Sequence, residues 1–130
     1  MKNYLIALFI FLIIDGIWLG LIAKNLYANH LGFLMKDSPN LIAALIFYLI
    51  FVFALLIFVI NPALAKKSLV SAALMGALFG LVTYATYDLT NLATVKNWPL
   101  NITLIDLLWG SFVSSSVSTL TYLIISKGII

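Results

Sequence analysis

No cysteine occurs anywhere in the 130 residues. Disulfides, thiolate metal sites and thiol catalysis are thereby excluded, and redox compartment leaves no trace in the chain. Charge is nearly as scarce: 8% of residues carry one, against about 25% in soluble domains. There is one histidine, too few for a His-rich metal box, and nothing resembling a Ser–His pairing surrounds it. The basic residues are seven lysines at the ends of apolar runs. They form no basic stripe, which excludes nucleic acid as a partner. What abounds is apolar surface, 65% of the residues. Such a chain cannot wrap a core in polar side chains, so the bilayer is its natural solvent. The composition implies an all-α integral membrane bundle: four transmembrane helices in one domain, residues 1–130, with lipid as the surrounding partner.

Four apolar runs, about 3–23, 41–60, 69–93 and 101–126, each approach the roughly 20 residues that span a hydrocarbon core. A signal peptide is the competing reading of the first, with Lys2 as its basic end. Leu21-Ile22-Ala23 is a poor cleavage site, and no soluble domain follows. Gly16 and Gly20 form a G-x-x-x-G that would let another helix approach. Between the first two runs, Leu26, Tyr27, His30, Leu31 and Leu34 share one helical face. They predict a short interfacial helix ending near Gly32. Ser38-Pro39-Asn40 then breaks the chain, and Asn40 is an N-cap. Asn61-Pro62 is expected to end the second span, Pro99 to block helix continuation in the turn after the third, and Asn101 to cap the fourth. Lys96 and Trp98 read as interfacial anchors. Along the fourth run, Thr103, Asp106, Gly110, Ser114 and Thr121 share one stripe and Ser111, Ser115, Ser118 and Tyr122 another. Small and hydroxyl residues of this kind favour helix contact in lipid. Lys2, Lys66, Lys67 and Lys127 fall on one side of such a bundle, and Lys24, Lys36 and Lys96 on the other beside Asp37. That bias places both termini in the cytoplasm.

The stretch YATYDLTNLAT, residues 84–94, organises the rest. Gly76, Gly80, Tyr84, Tyr87, Asp88 and Asn91 lie on one helical stripe, small residues first and polar ones after. Asp15 in the first run and Asp106 in the fourth are the other intramembrane acids. Counted from the helix ends on a common side, Asp15, Tyr48, Asp88 and Asp106 all lie roughly 7–12 Å deep at 1.5 Å per residue. They therefore share one leaflet. Each such acid costs up to about 2.5–3.5 kcal/mol on insertion scales. No lysine lies within a span to neutralise them. Three outcomes remain: the acids are protonated, share protons with one another and with Tyr or Asn, or hold a cation. The plainer alternative is that each merely hydrogen-bonds a neighbouring helix. A small echo adds Trp18 and Trp109: Ile14-Asp15-x-x-Trp18 recurs as Ile105-Asp106-x-x-Trp109, each indole one turn from its own helix's carboxylate. An indole N–H seeks such an acceptor. His30 lies on the same side as an accessory proton shuttle or ligand, or simply as an amphipathic residue.

The segments IDGIWLG, PNL, GALFGLVTYATYDLTNLATVKNWPL and TLIDLLWG together resemble a family of small bacterial membrane proteins, domain of unknown function 2177. The resemblance covers nearly the whole chain, and YATYDLTNLA is its most specific piece. It implies a compact four-helix protein of the bacterial inner membrane, with no assigned activity, no cofactor and no catalytic residues to carry over. Three functions compete. Carboxylates without basic partners suit a small transporter or permease for a proton, metal ion or cationic solute, and a homodimer would help enclose its path. The same acids could serve an enzyme acting on lipid or an isoprenoid, as acid/base groups or Mg²⁺ ligands. No basic group inside the bundle would hold phosphate, which counts against that. An accessory subunit would instead pair its acids with a basic helix of another protein.

Overall fold

The computed structural model describes residues 1–35 and 40–130. Every regular element among them is helical: α1 Lys2–Ile17, a π-helical segment Trp18–Ala23, α2 Lys24–Leu31, α3 Leu41–Leu55, a second π segment Leu56–Ile60, α4 Asn61–Lys66, α5 Leu69–Thr94 and α6 Leu100–Ser126. Joined end to end they make four helices long and apolar enough to cross a membrane: Lys2–Leu31, Leu41–Lys66, Leu69–Thr94 and Leu100–Ser126. The expected break at Ser38-Pro39, with Lys36 and Asp37, lies outside the described residues.

Local chemistry sets the ends. Asn40 caps α3, its side chain accepting from the Ala43 N–H at 3.1 Å. Ser68 does the same for α5, accepting from the Ser71 N–H at 3.0 Å. Between them Lys67 takes a left-handed turn, φ 54°, which closes α4. The threonines of α5 need no outside partner: Thr83, Thr86, Thr90 and Thr94 donate to backbone carbonyls one turn back.

Four expectations are corrected. Asn61-Pro62 does not stop the second span, which runs on to Lys66. Pro62 lacks an N–H and clashes with the preceding turn of an α-helix. The chain answers with the wider turn of residues 56–60, in which the Asn61 N–H bonds the Leu56 carbonyl, and Pro62 opens α4 where its missing donor costs nothing. Pro99 itself is the N-cap of α6, so Asn101 is already inside the helix and exposed. Among the described residues nothing lies within 4 Å of a Cβ position on Gly16 or Gly20, so no helix of this chain packs closely there. The interfacial helix ends at Leu31, one residue before Gly32, but it is not separate: the π segment joins it to the first span.

Packing is uneven. Phe11, Phe51, Val52, Leu55, Val113 and Val117 form a core between the first, second and fourth spans. The tightest pair is α5 with α6. A Cβ on Gly80 would fall on the Gly110 carbonyl, and one on Gly76 would meet the Ser114 carbonyl at 2.9 Å. Ser111 and Ser115 donate across this seam to the carbonyls of Ala77 and Ala73, at 3.0 and 2.8 Å. The second span touches α5 chiefly through its π segment, and α3 packs instead on α1. N-terminal to Phe51, whose ring meets Phe79 and Tyr84, a crevice opens between α3 and α5, bordered by Ala44, Phe47, Thr83 and Tyr87.

Candidate functional site

The crevice widens into a cavity of about 320 Å³ to which all four spans contribute. Its wall includes Asp15, Asp88 and Asp106. Asp15 is held from two directions. The Tyr48 hydroxyl of α3 donates to Oδ2 at 2.8 Å, and the Trp109 indole N–H of α6 donates to Oδ1 at 3.2 Å. Three spans thus meet on one carboxyl group. Asp106 accepts from the Tyr27 hydroxyl of α2. Asp88 differs from both. It is fully buried, and neither carboxyl oxygen has a donor. Its polar neighbour is another acid, Asp106, close enough for one carboxyl to hydrogen-bond the other once a proton lies between them.

Aromatic faces complete the wall. Trp18 and Trp109 stack with centroids 4.3 Å apart and planes 9° from parallel. Tyr84 lies over Gly110, where a Cβ would collide with its ring, so α6 has no side chain at that point because α5 supplies one. Behind the wall Phe51 packs edge-on to Tyr84, with centroids at 6.3 Å. Tyr87 lines the cavity too, yet is 59% exposed, with its ring edge-on to Trp98.

Trp98 is not a lipid-facing anchor. It is buried, and its N–H donates to Thr103 Oγ1 at 3.0 Å. Thr103 in turn lies 3.5 Å from the Asp88 carbonyl. The repeated Asp-x-x-Trp places each indole differently from the simplest expectation. Trp109 serves the acid of the first span, not Asp106 on its own helix, and the Trp18 N–H is buried without an acceptor.

Two residues of the polar set stand apart. Asn91 is one turn past Tyr87 and outside the cavity wall, where its carbonyl receives the Val95 N–H at the end of α5. His30 is also outside, its Nδ1 2.9 Å from the Leu26 carbonyl of its own helix. Tyr27 is the residue that sequence reasoning missed. A straight first span would carry it about 18 Å along the axis beyond Asp15. Asp15 and Tyr27 nevertheless reach Trp109 and Asp106, only three positions apart on α6. The first span must bend inward between them, and the π segment Trp18–Ala23 is where a helix can do so. The half-buried face carrying Tyr27 was visible as an amphipathic pattern; the bend that turns it onto Asp106 was not.

Residues 1–123 match the family described as "Predicted membrane protein (DUF2177)". No match was found among the curated proteins or among the solved structures.

Proposed function

Since the chain belongs to that family, whose description names no reaction, we propose its function from geometry: it is a small transporter- or permease-like protein that binds a cation in exchange for protons. The observation that carries this reading is Asp88, a fully buried carboxyl with no donor, facing Asp106 in a cavity whose wall, among the described residues, has no basic side chain. Two such groups cannot both stay bare and ionised at close range. A proton between them, or a cation beside them, relieves the repulsion. Trading one for the other is the elementary step of proton-coupled cation movement. The inward position of Asp88 speaks against pairing with a basic helix of another protein. Its place in a bacterial inner membrane with both termini cytoplasmic belongs to the same reading, supported by the lysine bias.

The test uses purified protein in liposomes with a pH-sensitive dye inside. Inward gradients of K⁺, Mn²⁺ and benzyltrimethylammonium are imposed in turn. At least one should drive proton efflux, and Asp88→Asn should abolish it while helix content stays unchanged. Efflux that survives Asp88→Asn, or no efflux with any probe, would overturn the proposal.

A further inference from the structure

Resting on the cation reading above, we infer that the cation is a small organic ammonium with an apolar body, which enters sideways from the membrane between α3 and α5. The first support is how the acids are already engaged. Tyr48 and Trp109 occupy Asp15, and Tyr27 occupies Asp106, all as donors pointing at oxygen. Only Asp88 is left with both oxygens unserved. Asp88 is thus the carboxyl whose oxygens are open to a ligand, and it offers one pair of them. A divalent metal asks for more: Mg²⁺ wants near-octahedral oxygens and Ca²⁺ takes six to eight. Among the described residues, no group of three His, Asp or Glu stands where it could hold a metal ion.

The second support is the rest of the wall. Aromatic faces attract an ammonium and are indifferent to a well-hydrated ion. The Trp18–Trp109 stack, Tyr84 and Phe47 all border the space in which the Asp88 carboxyl is buried. A volume of about 320 Å³ lies at the small end of ligand sites. At about 30 Å³ for each water-sized unit it admits roughly ten non-hydrogen atoms. That is an amine with a ring or a short branched tail, and too little for a whole lipid. Among the described residues no basic side chain lines the space to partner a phosphate-bearing headgroup.

The third support is the route. Phe47 on α3 and Tyr87 on α5 border the cavity and are 47% and 59% exposed. They flank the crevice where these helices part, at a depth where the surroundings are lipid. A solute that partitions into the bilayer meets this gap directly. A hydrated metal ion at that depth would not.

Calorimetric titration of the detergent-solubilised full chain tests the inference with three probes. Benzyltrimethylammonium carries a fixed charge and has about the required size. Mn²⁺ is the metal arm and benzyl alcohol the neutral aromatic arm. The ammonium should bind and release protons. Asp88→Asn should weaken it at least tenfold, and Trp18→Leu should weaken it at least threefold, with far-UV circular dichroism unchanged in both. Mn²⁺ binding that depends on Asp88, with no ammonium binding, would overturn this inference while leaving the cation reading intact. Benzyl alcohol binding as well as the ammonium would also overturn it, by removing any role for charge. Binding of neither cation would overturn this inference and leave the cation reading to the K⁺ arm of the liposome test.

Discussion

The acids of this protein differ in what surrounds them more than in how deep they lie. Asp15 is a junction: one carboxyl tied by a phenol and an indole to two other spans. A hydrogen bond to a charged group is worth about 1.5–3 kcal/mol, and bonds between membrane helices average about 0.6. Tyr48→Phe should therefore destabilise the folded protein by about 1 kcal/mol, measured by reversible unfolding in mixed micelles. Paired with Asp15→Asn, it should cost less than the two changes added, because both act on one bond. Costs that simply add would show that Tyr48 and Asp15 are not coupled. Asp88 makes no such bond, and its replacement by Asn should be felt in cation exchange rather than in folding. At this scale the candidate site was partly legible. The carboxyls announced themselves as ionisable groups in apolar runs, and their distances from the helix ends put them at one depth. Their donors were not legible, since a tyrosine or tryptophan in a membrane helix reads equally well as packing. The Asp-x-x-Trp echo shows the limit: the pairing crosses between helices, and no spacing along one helix can reveal that.

Helices report themselves through their ends and their contacts. The third span was readable to within a residue at each end, because an apolar run between polar turns has few ways to fold. The second was not, because Pro62 is an ordinary stop signal in a soluble protein. In lipid a freed carbonyl must find another partner within the bundle, so the chain widens its turn and continues. The small-residue stripes of α5 and α6 were legible as contact surfaces, but the matching G-x-x-x-G of the first span meets no helix among the described residues. A glycine pair permits close approach without compelling it. Where it is used, at Gly80 against Gly110, the backbones leave no room for a methyl group. Gly80→Ala should destabilise the protein by about 1–3 kcal/mol through overpacking. Ser115→Ala, which removes one hydroxyl-to-carbonyl bond across the same seam, should cost about 0.6 kcal/mol. The same unfolding measurement compares them, and a larger loss for the serine would contradict the close-approach account.

For the molecule as a whole, four spans could be counted from composition and run length alone, and the family match covers residues 1–123. Orientation is the coarse property that rests on the least, a bias of lysines between two faces. The absence of cysteine makes it simple to measure, because one introduced thiol has no background. With both termini cytoplasmic, Lys96→Cys should react with a membrane-impermeant maleimide in intact cells, and Lys127→Cys only after permeabilisation. The reverse pattern would invert the topology. The back-to-back glycines of α5 and α6 carry a last consequence for how such a molecule moves. Two backbones in direct contact, pinned by serine hydroxyls, have no side chains between them to serve as a bearing. Residues 69–126 are therefore the most closely joined part of the bundle. Any change in how the spans are arranged falls to the first two, which carry the two wide turns at residues 18–23 and 56–60.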